Sequence, residues 1–276
     1  MVTYDAVPYP SKPYTQSAPG KIGAIAQLFG MKPADSANAR VLEIGCASGG
    51  NILPLAARFP KSKFIGVDIS ENQINEGKRN VEVLNLKNII FYAKSILDFD
   101  YKKRKFDYII LHGLYSWVNA EVRNKILEIC KKCLSKNGVA YISYNTLPGW
   151  NSLKTIRDMM LYHTENFSIF DEKVSEARNI LQFVYTGLKD NKGPYKLVLE
   201  KMLNTLKEVN NDSYIFHEFL EEVNAPCYFY QFMEQAEKQE LTYLGDTDLP
   251  TMFLANQSSE HVKNTLAKIN DIVRLE

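Results

Sequence analysis

The segment with the clearest chemical content is a glycine-rich turn at residues 41–51, VLEIGCASGGN. Its small and polar residues that could contact a ligand are Glu43, Gly45, Ala47, Gly49 and Asn51. A strand that enters such a turn and continues into a helix brings the backbone close to a ligand and directs the helix N-terminus towards it. Gly45, Ala47 and Gly50 also approximate the dinucleotide fingerprint, so a nicotinamide site is an alternative. The position of Glu43 is normally apolar in that fingerprint, and an acidic residue there favours a positively charged ligand without phosphate.

This turn resembles the glycine motif of class I S-adenosylmethionine-dependent methyltransferases, with Ala47 in place of the middle glycine. The resemblance implies S-adenosylmethionine as cofactor and S-adenosylhomocysteine as product. The cofactor carries an ammonium and a sulfonium, which explains the use of Glu43, while Asn51 fits a polar contact to the methionine part. The plain alternative is a tight strand–helix turn that binds nothing.

Two further strand ends are expected to complete the cofactor site. Asp68 ends the strand FIGVD, where a carboxylate beside the glycine turn can accept both ribose hydroxyls, and Ile69 would cover one face of the adenine. In the family a polar residue after the third strand meets the adenine amino group and an apolar residue packs on the ring. Ser95 and Ile96 take these places, with Asp98 as the alternative to Ser95. Asp68 could instead cap the following helix.

The residues after the fourth strand are expected to face the reacting methyl. The sequence there, HGLYSWVN, lacks the Asn/Asp-Pro-Pro-aromatic motif of amino-methyltransferases that act on DNA or glutamine. Tyr115, Trp117 and Tyr144 are the predicted catalytic residues, because aromatic rings stabilise a nearby cation and a dry pocket lowers the pKa of an attacking amine. Each of these rings could equally be a packing residue. His112 is predicted to contact the cofactor, with a base or a packed histidine as alternatives.

The N-terminal segment predicts an extended arm over residues 1–19, since four prolines interrupt any helix and favour extended neighbours. Such an arm can fold back over the glycine turn and exclude water from the site. Tyr14 is the expected cofactor contact, because it lies nearest to the first predicted helix, at 21–30. A disordered tail that happens to contain tyrosines is the alternative.

Strands and helices alternate from residue 40 to residue 144, which predicts βαβ units in a mostly parallel, doubly wound, Rossmann-like α/β sheet. We expect an N-terminal arm and helix at 1–38, a cofactor-binding domain at 39–150 and a mainly helical region at 151–276. The helical region would serve substrate binding or homodimer formation. Two edge strands are predicted at 241–245 and 251–254, followed by a helix at 258–273.

Composition limits the partners. The 33 Lys+Arg against 32 Asp+Glu leave almost no net charge, which argues against nucleic acid as a partner. The four cysteines lack a disulfide or metal-binding spacing, so we expect reduced thiols, no metal and a cytoplasmic location. No apolar run approaches the ~20 residues of a membrane span, so no membrane insertion is expected.

Several strings resemble bacterial methyltransferases that carry a methyltransferase regulatory domain, and especially the rickettsial lysine methyltransferases of outer-membrane proteins. These strings are YDAVPYPSKPY, LEIGCASGGN, HGLYSWV, YNTLPGW, MLYHT and FHEFLEEVNAPCYFYQFMEQA. The resemblance implies methylation of lysine side chains in a bacterial surface protein. It also implies that residues 216–276 open a regulatory region, in a fragment or a naturally short form. A small-molecule methyltransferase and a cofactor-binding regulatory subunit without turnover remain alternatives.

Overall fold

The computed structural model describes residues 3–100, 104–209, 211–253, 256 and 259–275. Five parallel strands form its sheet in the order β3-β2-β1-β4-β5. They are β1 (Arg40–Ile44), β2 (Lys63–Asp68), β3 (Ile89–Ala93), β4 (Phe106–Leu111) and β5 (Leu134–Ile142). The strand order reverses between β1 and β4, and this reversal opens a crevice at the carboxyl ends of the strands, where ligands bind in such sheets. The predicted Rossmann-like α/β fold is confirmed.

The described residues form twelve α-helices, some of which cover the two faces of the sheet. They are α1 (Thr3–Ala6), α2 (Pro19–Leu28), α3 (Ile52–Arg58), α4 (Glu71–Val83), α5 (Ala120–Cys133), α6 (Asn151–His163), α7 (Phe170–Gly187), α8 (Pro194–Val209), α9 (Asp212–Ile215), α10 (Phe229–Lys238), α11 (Glu260–Leu266) and α12 (Ile272–Leu275). Neighbouring residues of β1 point to opposite faces. Val41 packs with α2, α3 and α4, and Leu42 packs with α5.

Helices α6 to α9 pack around an apolar core of their own, which includes Met160, Leu181 and Phe219. Phe232 of α10, however, packs back into the core of the sheet. The predicted division at residue 150 therefore stays a prediction. No helix within the described residues is long and apolar enough to cross a membrane.

The N-terminal arm is less extended than the sequence predicted. Thr3–Ala6 forms a helical turn before the first proline, Pro8, and Thr15–Ser17 forms a 3-10 turn between Pro13 and Pro19. Helix α2 begins at Pro19, two residues earlier than predicted. Proline suits the first turn of a helix, because its fixed φ fits and no N–H is needed there.

The C-terminal predictions were partly wrong. Residues 241–245 form no strand, and Leu249–Met252 forms a 3-10 turn with Pro250 in its first turn. Leu254 of the second predicted strand and Ser258, the first residue of the predicted helix, lie outside the described residues. The long helix predicted there is two short ones, because Asp271 accepts a hydrogen bond from the Val273 N–H (2.9 Å) and starts a second helix.

Candidate cofactor-binding site

A cavity of about 470 Å³ lies at the carboxyl ends of β1, β2 and β4. Its size is typical of a small-molecule site. The structure places most of the predicted site residues in its wall: Tyr14, Glu43, Gly45, Ala47, Asn51, Asp68, Ile69, Ser95, Ile96, His112, Trp117 and Tyr144. Gly49, Tyr115 and the alternative residue Asp98 are not among the lining residues.

Glu43 is buried at the end of β1, with a 3% exposed side chain. Its Oε1 accepts a 2.7 Å hydrogen bond from Asn51 Nδ2, while Oε2 is buried without a partner among the described residues. Burial raises the pKa of Glu43 to about 8, against the opposing hydrogen bond from Asn51. A buried carboxyl oxygen without a donor fits an arriving ammonium, as S-adenosylmethionine carries.

The glycine turn owes its shape to three residues with positive φ. Gly45 has φ 74°, Ala47 has φ 49° and Gly49 has φ 84°. Ala47 pays a steric penalty in this conformation, and its N–H donates to Asp68 Oδ2 at 2.9 Å, which holds the turn in place. A Cβ at position 49 would lie 2.4 Å from the Phe91 ring. Gly49 therefore allows the turn to pack on the sheet, below the cavity rather than in its wall.

Asp68 is fixed by two backbone amides. Its Oδ1 accepts from the Ser70 N–H and its Oδ2 from the Ala47 N–H, both at 2.9 Å. Burial raises the pKa of Asp68, and these hydrogen bonds oppose that shift. Ser70 caps α4, because its hydroxyl accepts from the Gln73 N–H, so capping does not explain Asp68. Both carboxylate oxygens retain a lone pair for a ribose hydroxyl.

Two side chains predicted to contact the adenine differ in exposure. Ile69 is 49% exposed at the cavity rim, whereas Ile96 is 7% exposed and part of the core behind it. Ser95 also lines the cavity, and its hydroxyl accepts from the Leu97 N–H at 3.3 Å. Asp98 donates its backbone N–H to the Ser95 carbonyl, which places it one turn further from the wall.

The N-terminal arm lies across the glycine turn, where the sequence predicted it. The Gly50 N–H donates to Ser11 Oγ at 2.7 Å, and the Tyr14 N–H donates to Asn51 Oδ1 at 2.9 Å. The Tyr14 ring stacks on His112, with centroids 3.5 Å apart. Burial lowers the pKa of His112 to about 4, so this imidazole is neutral and a weak base at neutral pH. The arm thus separates the turn from solvent.

The predicted catalytic aromatics do not share one location. Trp117 and Tyr144 line the cavity, and Tyr144 stacks on Phe232 with centroids 4.6 Å apart. Tyr115 is 4% exposed and packs edge-on against Phe232 in the core. Its placement differs from the prediction, because the 3-10 turn Tyr115–Trp117 directs its ring inward and leaves Trp117 at the wall.

Among the cavity residues that sequence reasoning missed are His217 and Glu218. They lie on a π-helical turn, Phe216–Leu220, that follows α9. His217 Nε2 is 2.7 Å from the Val7 carbonyl oxygen, and the His217 ring stacks on Tyr4 with centroids 5.0 Å apart. The signal in the sequence was the adjacent pair of ionisable residues within FHEFLEEV, a string that the resemblance covered without a role.

Residues 35–270 match the sequence model of a family described as a methyltransferase domain. The chain belongs to this methyltransferase family. Its cofactor is S-adenosylmethionine, which agrees with the class I fold and with the structure described next.

The methyltransferase is similar to PKMT2 from Rickettsia typhi, whose structure was solved in complex with AdoHcy. The two chains are 43% identical and superpose with a TM-score of 0.85. The match covers 98% of this chain and 51% of PKMT2. The methyltransferase is also 47% identical over 273 residues to the uncharacterized protein RP789 of Rickettsia prowazekii (strain Madrid E), covering 99% of this chain and 49% of that protein. A second uncharacterized protein of that organism, RP028, is 43% identical over 241 residues, which are 86% of this chain and 95% of RP028. The methyltransferase therefore spans about half the length of RP789 and PKMT2 and nearly all of RP028.

Proposed function

We propose that the methyltransferase transfers methyl groups to lysine side chains of a protein, with a bacterial surface protein as the substrate class. The observation that carries this proposal is one continuous cavity that joins the glycine turn to an aromatic wall formed by Trp117 and Tyr144. An apolar, aromatic wall of this kind suits the unbranched lysine stem and disfavours the charged form of its amine. The likeness to PKMT2 from Rickettsia typhi supports the same substrate class.

S-adenosylmethionine supplies an electrophilic methyl group on a sulfonium. The residues of the chain would bind and orient it: Glu43 and Asn51 at the ammonium, Asp68 at the ribose, and Ile69 and Ile96 at the adenine. Tyr14 and the arm would exclude water, and Trp117 and Tyr144 would hold the acceptor amine in line. Methyl transfer is a displacement in which positioning supplies much of the rate enhancement.

The test is incubation of the methyltransferase with isotope-labelled S-adenosylmethionine and a panel of bacterial surface proteins, followed by mass spectrometry of the products. We expect label on lysine side chains and none on a matched panel whose lysines have been acetylated. Label only on free amines added as competitors would favour the small-molecule alternative. Cofactor binding without any product would favour the regulatory subunit. Light scattering of the methyltransferase alone tests the alternative that the helical region serves homodimer formation.

A further inference from the structure

The turn Phe216–Leu220 brings a carboxyl group from the helical region into the cavity. This turn is π-helical, a geometry that is frequent at functional sites because its extra residue redirects the side chains. Its two central residues, His217 and Glu218, line the same cavity as Glu43 and Asp68. Both nitrogens of His217 are engaged, at 2.7 Å from Glu221 Oε1 and 2.7 Å from the Val7 carbonyl oxygen. Glu218 has no comparable hydrogen bond within the described part of the chain.

The groups around Glu218 do not neutralise it. The charge of Arg157 of α6 acts on Glu218, but the Arg157 guanidinium donates to the Glu221 carbonyl oxygen and its Nε has no partner among the described residues. No ion pair joins Arg157 to Glu218 within the described ranges. Tyr9 of the arm and Tyr214 of α9 also face the carboxyl, and burial raises the pKa of both phenols.

Three other ionisable residues of the cavity wall are constrained by their surroundings. Glu43 is bonded to Asn51, and Asp68 holds two backbone amides. Burial lowers the pKa of His112 to about 4, which leaves little basicity at neutral pH. Burial raises the pKa of Glu218 to about 7, against the opposing charge of Arg157. A carboxyl of this kind can gain and lose a proton near neutral pH, as a general base must.

We propose that Glu218 binds the ammonium of the acceptor amine and takes up its proton before methyl transfer. This inference rests on the proposed function, since it requires an amine acceptor. The proton moves from nitrogen to the Glu218 carboxylate and leaves a neutral amine. The nitrogen lone pair then forms the new N–C bond, the C–S bond breaks, and its electron pair stays on sulfur. The methylated ammonium product then leaves, and Glu218 releases its proton to solvent.

A pair of cofactor analogues tests this role without any acceptor protein. Sinefungin carries an ammonium in place of the transferable methyl, whereas S-adenosylhomocysteine has no group at that position and its sulfur is uncharged. Both share the amino-acid and ribose ends, so contributions from Glu43 and Asp68 cancel in the ratio of the two affinities. Calorimetry should show that the ratio of the affinity for sinefungin to that for S-adenosylhomocysteine falls at least tenfold in Glu218→Gln. The affinity of this variant for S-adenosylhomocysteine should change less than twofold. The matched control is Glu222→Gln, at an exposed glutamate on the same segment, which should change neither.

The pH profile gives a second measurement. Glu218 is neutral below its pKa and charged above it, so the wild-type preference for sinefungin should rise between about pH 6 and pH 8. In Glu218→Gln the ratio of the two affinities should not change with pH over that range. This result would assign the pH dependence to Glu218 rather than to His217 on the same turn. Arg157 stays charged throughout, and Tyr9 and Tyr214 stay neutral.

An unchanged preference with an unchanged pH profile in Glu218→Gln would overturn the proposal. Affinity for S-adenosylhomocysteine reports whether the variant has folded. If the variant has not folded, the pH profile of the wild-type protein is the test. A wild-type ratio of the two affinities that does not change with pH overturns the proposal. The two proposals can also fail separately. If lysines are labelled but the wild-type affinity ratio does not change with pH, only the role of Glu218 is rejected. If the affinity ratio depends on Glu218 but no lysine is labelled, only the protein substrate is rejected.

Discussion

Replacement of Glu43 by glutamine should change stability and cofactor affinity in opposite directions. The substitution keeps an acceptor for Asn51 Nδ2 and mimics the protonated carboxyl, because burial raises the pKa of Glu43 from 4.5 to about 8. The folded protein without cofactor therefore binds one more proton than the unfolded chain between those two pH values. Its stability falls as pH rises through this window, since the stabilisation of the neutral carboxyl is complete only below pH 4.5.

The expected magnitude follows from that interval. Relative to the unfolded chain, the raised pKa of Glu43 costs the folded protein about 3 kcal/mol at pH 7 and about 4 kcal/mol at pH 8, and the cost approaches about 5 kcal/mol well above pH 8. Glu43→Gln removes this cost, so the variant should be the more stable protein at pH 7 by about 3 kcal/mol. It should bind S-adenosylmethionine more weakly, by roughly 1.5–3 kcal/mol for the lost charged hydrogen bond. Ionising Glu43 at pH 7 lowers the free energy available for wild-type binding by about 1 kcal/mol, so the difference in affinity should grow with pH.

Two measurements check these expectations. Urea unfolding of the protein without cofactor, at pH 5 and pH 8, gives the stability difference between wild type and Glu43→Gln. Calorimetric titration in buffers of different ionisation enthalpy gives the affinity and should show proton release from wild type at pH 7. The control is Glu82→Gln, at an exposed position on α4, which should change neither quantity. Wild-type stability independent of pH, with a variant no more stable than wild type, would show that Glu43 is already ionised and refute the reasoning.

Three further expectations follow from the same site. Asp68→Ala should weaken binding of S-adenosylmethionine by roughly 1.5–3 kcal/mol; calorimetry that shows unchanged affinity in a folded variant would reject the ribose assignment. Tyr115→Phe should keep wild-type turnover, and Tyr115→Ala should lower the free energy of unfolding by about 3–5 kcal/mol through a core cavity; a turnover loss in a stable Tyr115→Phe would restore its predicted catalytic role. Deletion of residues 1–17 should leave the sheet folded but weaken cofactor binding and abolish methylation. It should also speed hydrogen exchange at the Gly50 amide, which donates to Ser11 Oγ. A truncated protein that binds and methylates like the full chain would show the arm to be a dispensable tail.

The parts of the site that the sequence predicted are those built by short-range structure. Glu43 and Asp68 end strands whose apolar patterns are continuous, so their place at the carboxyl edge follows from the alternation of strands and helices. The orientation of Tyr115 could not be predicted in this way. It depends on Phe232, which lies far along the chain and packs beside the ring. Sequence spacing alone gives both Tyr115 and Trp117 equal access to the cavity.

The edge strand predicted at 241–245 failed for a related reason. Its apolar residues satisfied a strand pattern, but Leu241 packs into the sheet core and Leu244 against the opposite face without strand pairing. The Leu241 N–H instead donates to the Ala236 carbonyl oxygen of α10. Short apolar runs predict burial more securely than they predict backbone pairing, because pairing needs a partner strand in register. Near β5, the described residues outside the named strands form one isolated β-bridge, between Thr146 and Cys227, and residues 241–245 take no part in it.

The closure of the site joins two segments that are far apart in sequence. Val7 of the arm is held by His217, and the Tyr4 and Tyr9 rings pack on the same imidazole. Glu218 lies beside this contact, so an acceptor that reaches Glu218 touches the turn that also holds the arm. Because the arm covers the glycine turn, we expect acceptor binding and cofactor retention to be thermodynamically linked, and any such linkage acts equally in both directions. The N-terminal arm and the π-helical turn thus close the site together, although neither has a recognisable cofactor motif in its own sequence.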